Sequence, residues 1–188
     1  MSCEVEILSD GAITGKGTIV YVDPKKSFVG VCKDFIISVN GLVEIFQKNF
    51  EDDGRIISGE RIDISKQLEK VIDLSILLRS KLESSKEDII FSVSNDKYDY
   101  KLNIQMNRLG WSLSGHLGSA KSVRANKFKE WIHGILQKQL KAFLNEVRSA
   151  TEDGNIDEME KQKLVSFLDP LILGCILVRN SLLTTLIH

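Results

Sequence analysis

The sequence predicts an α+β fold, in which a small antiparallel barrel is followed by an antiparallel meander with a helix and by a C-terminal helical hairpin. Alternating apolar and polar side chains in the first third of the chain predict strands with one buried face. A helical stripe and three more alternating runs follow, and the last third has apolar residues at three- and four-residue steps. These changes of pattern divide the chain into regions 1–65, 66–120 and 121–188.

In the first region, strands are predicted on both sides of a basic turn within residues 17–42. Alternation is clearest at residues 19–22 and 35–39, and the Asp-Pro-Lys-Lys run at 23–26 predicts the tight polar turn between them. A polar connector follows, and residues 56–64 predict another short strand.

These strands carry a resemblance to a known family. Residues 17–31 match, without a gap, the Gly-x-Val-Lys-Trp-Phe-Asn and Lys-Gly-Phe-Gly-Phe-Ile patterns of a cold-shock domain, and residues 59–64 resemble its Gly-Glu-x-Val-x-Phe strand. The resemblance covers about residues 13–64, and it implies an OB-like barrel that binds single-stranded RNA or DNA.

The resemblance also implies the binding residues. Tyr21 takes the place of the family's stacking tryptophan, and Phe28 that of the first aromatic residue of the second strand. Lys26 takes the place of the lysine that contacts phosphate, and Lys25 lies beside it. These four residues form the predicted nucleic-acid site.

Part of the family's stacking surface is missing. Gly30 and Ile36 stand where aromatic residues are expected, and Ser38 replaces a histidine. Since each base stacked on an aromatic ring contributes about 1–3 kcal/mol, the predicted binding is weak. A fifth strand is also missing after residue 64, so the barrel needs a later strand for closure. The alternative is ordinary β-hairpins with lysines in a turn.

The second region begins with an amphipathic helix, predicted from Ser65 to about Ser84. Its apolar stripe consists of Leu68, Val71, Ile72, Ile76, Leu77, Leu78 and Leu82. The alternating runs 89–94, 98–106 and 111–117 then predict an antiparallel meander.

The third region is predicted to be helical. Apolar residues between Phe128 and Val147 predict a long helix, which Gly154 ends because glycine adopts positive φ easily. Asp157 and Glu160 form a capping box that begins the next helix, and Asp169-Pro170 predicts the start of a last one.

Two motifs suggest ligands but fit simpler interpretations. Residues 153–160 match the second half of an EF-hand loop, yet Ser149 and Thr151 occupy its first and third ligand positions, so we expect no bound metal. The glycine-rich segment 115–119 precedes a basic helix. Ser119, Lys121 and Arg124 are therefore a candidate anion-binding site, with a solvated basic face as the alternative.

Composition limits the possible functions. The net charge of −1 provides no overall field for duplex DNA or an anionic membrane. The three cysteines lack the spacing of zinc ligands, which predicts reduced thiols in the cytoplasm, and we expect no secretory signal. The apolar run 170–178 is shorter than the roughly 20 residues of a membrane span. We expect it to be buried, with a surplus face that makes a homodimer.

No catalytic motif is recognisable, so we expect a non-enzymatic protein without a cofactor, in which His116 is the one histidine to test. The first hypothesis is weak binding of single-stranded RNA or DNA through the cold-shock-like region. The alternative is a protein-interaction module, such as an immunity-type or adaptor protein. A third is an enzyme acting on a phosphorylated small molecule at residues 115–124.

Overall fold

The computed structural model describes residues 3–8, 10–18, 23, 25–49, 58–84, 88–95, 100–117, 137–150 and 156–185. Its elements, in chain order, are β1 (Cys3–Ile7), β2 (Ala12–Thr18), α1 (Phe28–Asn49), α2 (Ser58–Glu83), β3 (Ile89–Asn95), β4 (Tyr100–Met106), β5 (Gly110–Leu117), α3 (Gln137–Ala150) and α4 (Glu158–Thr185). The predicted α+β class is confirmed.

The strands form one antiparallel sheet in the order β1-β2-β5-β4-β3. The β1–β2 hairpin therefore joins the meander β3–β5 through β2 and β5. This hairpin precedes the strands predicted in the first region, of which residues 19–22 lie outside the described residues. The hairpin turns at Gly11, whose φ of 94° suits glycine, and the Ala12 N–H donates to Asp10 Oδ1 at 3.0 Å. The sheet is open, with β1 and β3 at its edges, so the predicted closed barrel is wrong.

Helix α1 replaces the strands predicted between residues 28 and 42. Its buried residues Val31, Phe35, Val39 and Leu42 follow one another at steps of three and four, as one face of a helix requires. Ser27 caps the helix, since its Oγ accepts a hydrogen bond from the Gly30 N–H at 3.2 Å. The apolar pattern at 35–39 was compatible with both the two-residue period of a strand and the 3.6-residue period of a helix. Burial along one helical face favours the helix.

The strand predicted at 56–64 is likewise wrong, because α2 begins at Ser58. Ile64 is buried four residues before Leu68, so it is an early member of the stripe predicted for the following helix. The predicted helix is thus confirmed and is longer at its N-terminal end. The meander is also confirmed, with strand bounds within two residues of those predicted.

Helix α2 lies at the centre of the molecule. Every residue from 71 to 80 is buried, and α2 contacts α1, α4 and β3. Helices α1 and α3 meet at Phe35 and Phe143, whose rings are 5.8 Å apart at an interplanar angle of 82°. The core therefore extends continuously from the inner face of the sheet to the outer helices.

Helices α3 and α4 pack against each other and confirm the C-terminal helical hairpin. The predicted cap is present, because Asp157 Oδ1 accepts from the Glu160 N–H at 2.8 Å. A separate last helix from Pro170 is wrong, since α4 continues through it. A proline inside a helix costs about 3 kcal/mol, and burial of Leu168, Leu171 and Ile172 at about 1.5–3 kcal/mol each offsets that cost.

In the described part of the chain, none of the helices combines the length and apolarity that crossing a bilayer requires.

Candidate binding surface

One face of the sheet lies against the helices and the other is exposed. The exposed side chains are named here the open face: Glu4, Glu6, Thr14, Lys16, Thr18, Ile90, Ser92, Ser94, Lys101, Asn103, Gln105, Ser112, Ser114 and His116. They occupy every second position of their strands, so they project to the same side.

The centre of the open face is uncharged. The strand register places Thr14, Ser114, Asn103 and Ser92 side by side in one row across the sheet. The Ser92 hydroxyl and Asn103 Oδ1 are 2.9 Å apart, and a second row crosses at Ser112 and Gln105. Hydroxyl and amide groups therefore form a regular array that can donate and accept hydrogen bonds.

Charged side chains lie toward the margins of the open face. Glu4 and Lys16 form an exposed ion pair at 3.6 Å on β1 and β2. His116 is held at the end of β5, where its Nε2 lies 2.8 Å from the Asp10 carbonyl oxygen of the hairpin turn. Lys101 is the neighbour of His116 on β4.

The aromatic residues of the sheet are on the opposite face. Phe91, Tyr100 and Trp111 are all buried, and none of the open-face side chains is Phe, Tyr or Trp. Base stacking on single-stranded nucleic acid needs exposed rings, so the open face does not supply the surface expected from the cold-shock resemblance.

The predicted nucleic-acid residues lie away from the sheet. Phe28 is the first residue of α1 and packs, partly buried, against the core, so its expected position on a strand is wrong. Lys25 and Lys26 are exposed in the preceding turn, and Lys26 Nζ pairs with Asp34 at 2.8 Å. Tyr21 lies outside the described residues.

The other predicted sites are only partly described. Ser119, Lys121 and Arg124 lie outside the described residues, as do residues 151–155 of the EF-hand-like loop. Gly115 belongs to β5 rather than to a turn. A Cβ there would lie 2.1 Å from the Lys101 carbonyl oxygen, so close strand pairing accounts for this glycine. Within the described ranges, His, Cys, Asp and Glu side chains form no cluster of three or more able to hold a metal ion.

Buried charges between α2 and α4 were not predicted from the sequence. Arg79 of α2 pairs with Asp169 of α4 at 2.8 Å, and Arg179 of α4 pairs with Glu69 of α2 at 2.9 Å. On each helix the acid precedes the base by ten residues. This repeated spacing was visible in the sequence and indicates two antiparallel helices that exchange ion pairs.

The Arg79 pair is surrounded by further partners. Arg79 also donates to Glu83 and to the Ser92 carbonyl oxygen, and its guanidinium carbon lies 5.4 Å from the centroid of the Phe91 ring. Burial raises the pKa of Asp169 to about 6, although the Arg79 charge and hydrogen bond act in the opposite direction.

The Arg179 pair lies beside a second carboxyl group. Asp73 is fully buried, and its Oδ1 accepts from Trp111 Nε1 at 2.7 Å. Oδ2 of Asp73 has no hydrogen-bond partner within the described part of the chain. Burial raises the pKa of Asp73 to about 7; the Trp111 hydrogen bond lowers it and the Glu69 charge raises it further.

The thiols of Cys3, Cys32 and Cys175 are free and buried, in agreement with the prediction of reduced cysteines. Burial raises the pKa of each thiol to about 12. A thiol with such a pKa is almost fully protonated at neutral pH and is therefore a poor nucleophile and metal ligand.

No protein-family model, curated protein or solved structure matches this chain.

Proposed function

We propose that this chain is a non-enzymatic protein-interaction module of the immunity or adaptor type, which binds a folded partner protein through the open face of its sheet. The observation that supports the proposal most is the contrast between the two faces. The helices bury most of one face, whereas the other presents an ordered array of exposed hydrogen-bonding groups across five strands.

The charge distribution fits a protein partner. Charged residues are depleted at the centres of protein interfaces and more frequent at their rims. Uncharged Thr14, Ser114 and Asn103 occupy the centre of the open face, while the Glu4–Lys16 ion pair lies toward its margin. A folded partner with a polar, nearly flat surface would match this pattern.

The open face is comparable in size with one side of a standard interface. Five strands of about seven residues, at a spacing of about 4.8 Å and about 3.3 Å per residue, cover a flat area of about 500 Å2. A stable interface buries about 800 Å2 of accessible surface on each partner, and the accessible surface of protruding side chains is larger than the flat area beneath them.

Weak binding of single-stranded RNA or DNA by Tyr21, Lys25, Lys26 and Phe28 stays a prediction. It has less support, because Phe28 contributes to the core and Lys26 is already paired with Asp34. Homodimer formation also stays a prediction. Residues 167–180 of α4 are buried or partly buried within the chain. This part of α4 therefore exposes no surplus apolar face of the kind that the homodimer prediction requires.

Site-specific photo-crosslinking in cells that produce the protein tests the proposal. A benzophenone amino acid replaces Ser114 at the centre of the open face or, as the matched control, exposed Gln162 on α4. We expect one protein adduct from position 114 that survives nuclease treatment, and none from position 162. Ser114→Arg should abolish recovery of the same partner by affinity purification, while Gln162→Arg should not.

Equal adducts at both positions, or an adduct at 114 that nuclease removes, would contradict the proposal. In the second case, titration of a labelled single-stranded oligonucleotide against wild type and Lys25→Ala/Lys26→Ala variants would test the nucleic-acid hypothesis directly.

A further inference from the structure

The ion pairs between α2 and α4 are connected to the two edge strands of the sheet. At the β1 edge, Arg179 Nη2 donates to the Cys3 carbonyl oxygen at 2.7 Å, and Asn180 Nδ2 donates to the Val5 carbonyl oxygen at 3.4 Å. At the β3 edge, Arg79 Nη2 donates to the Ser92 carbonyl oxygen at 3.1 Å. The Ser94 N–H donates to the Asp169 carboxylate at the same edge.

These backbone groups are the ones that a further strand would use. In an antiparallel pair, the N–H and C=O groups of alternate residues point away from the partner strand. The Leu8 N–H donates to the Ala12 carbonyl oxygen, so Cys3 and Val5, at odd-numbered positions, direct their backbone groups to the outside. An incoming strand at β1 would compete with Arg179 and Asn180 for these acceptors.

The dimensions of the two layers agree with this arrangement. Ten residues of helix rise about 15 Å, and the outer strands of a five-stranded sheet lie about 19 Å apart. The long arginine side chains span the remaining distance. An antiparallel helix pair lying across the strands can therefore reach both edges at once.

We infer that the α2–α4 pair is a clamp that closes both edges of the sheet against strand addition by a second copy of this chain. Each buried ion pair holds an arginine in the position from which it occupies edge carbonyl groups. Exposed edges invite such pairing, and natural proteins cover them with helices, charges or loops. The inference does not rest on the proposed function, since it concerns the edges and not the open face.

The test removes the clamp at β1 without leaving an unpaired buried charge. The double variant Glu69→Gln/Arg179→Met removes both charges of the ion pair at once. The control is Lys26→Met/Asp34→Asn, which removes both charges of an ion pair that lies away from the sheet. Amide hydrogen exchange is measured at Glu4 and Glu6, which pair with β2, and at Ile104 in β4, which is paired on both sides. A photo-crosslinking amino acid at position 4 reports contacts between copies.

We expect exchange at Glu4 and Glu6 to become about tenfold faster in Glu69→Gln/Arg179→Met, with little change at Ile104. Crosslinks between copies from position 4 should appear in this variant and not in wild type or the control. Unchanged exchange at both amides, together with no new crosslink in a folded variant, would overturn the inference.

If Glu69→Gln/Arg179→Met unfolds, exchange becomes faster at Ile104 as well. The variant Asn180→Ala then tests the clamp instead. It removes one donor to the β1 edge and the Oδ1 atom that accepts from Arg179 Nη1 at 3.3 Å, but it keeps both arginines and their carboxylate partners. A selective increase at Glu6 supports the clamp, and exchange identical to wild type contradicts it.

Discussion

The two ends of the α2–α4 contact contain similar charged side chains but balance them differently. At the Arg79 end, one guanidinium group meets two carboxylates, a backbone carbonyl oxygen and an aromatic ring. At the Arg179 end, the guanidinium group pairs with Glu69, while Asp73 nearby has one oxygen without a partner among the described residues. The Arg79 end also has a second ion pair between the helices, from Lys161 Nζ of α4 to Glu83 of α2 at 3.5 Å. Its buried groups are therefore better satisfied than those at the Arg179 end.

Arg79→Ala should have the largest effect, because it leaves Asp169 as a buried carboxylate without its main partner. We expect a loss of about 3–5 kcal/mol in the free energy of unfolding, measured by urea denaturation at pH 7. A loss below about 1 kcal/mol would show that Asp169 takes up a proton or reaches water at little cost.

Asp73→Asn should make stability less dependent on pH. The raised pKa means that the folded state binds the Asp73 proton more tightly than the unfolded state, whose pKa is near 3.8. This contribution to stability is fully present below pH 3.8 and is lost as the pH rises to about 7. Between pH 5 and pH 8, wild type should lose about 3 kcal/mol more than the variant.

The measurement for Asp73→Asn is urea denaturation across that pH range, with Asp88→Asn, on an exposed residue, as the control. Asparagine keeps an oxygen that can accept from Trp111. Parallel curves for wild type and Asp73→Asn would mean that Asp73 is ionised in the folded protein at all these pH values.

Gly17→Ala should disturb the Arg179 end indirectly. A Cβ at position 17 would lie 2.5 Å from the Trp111 ring, which would have to move away from Asp73. We expect a loss of about 1–3 kcal/mol and a shift in tryptophan fluorescence. Gly59→Ala, where a Cβ meets nothing within 4 Å, is the control. Equal effects of the two substitutions would contradict the close packing of Trp111 on β2.

Lys16→Ala should have the smallest effect on the free energy of unfolding, and it provides the exposed ion pair with which the buried pairs are compared. Its ion pair with Glu4 has side chains that are 73% and 56% exposed, so water and salt screen the interaction. We expect a change below about 1 kcal/mol that disappears in 1 M salt. A larger loss, insensitive to salt, would indicate that the open face is less accessible to water than its exposure suggests.

Much of the fold was predictable where one local period dominated. Strict alternation identified the meander, since β4 buries Leu102 and Ile104 and exposes the residues between them. The stripe of α2 and the Asp157 cap were equally clear. Residues 28–42 were not, because Phe35, Val39 and their neighbours satisfy both a strand and a helix pattern over a short window.

The candidate surface was harder to predict than the fold. Its members, such as Thr14 and Ser114, are ordinary polar residues on strands far apart in the chain, and only the register brings them together. The residues predicted for binding carried a recognisable local pattern. Phe28, however, became part of the core, because burial of an aromatic side chain stabilises the fold whatever motif the residue belongs to.

Which segments have an apolar face, and whether that face repeats as in a strand or a helix, follows from the order of residues, because side-chain spacing along a strand or a long helix is a local property. The ten-residue spacing of acid and base on α2 and α4 is also present in the sequence. Packing between distant segments is what joins β1–β2 to the meander through β5, keeps Pro170 inside a helix and brings the arginines to the sheet edges. Each of these depends on contacts between residues distant in the chain, whose combined burial and hydrogen bonding outweigh the local preferences.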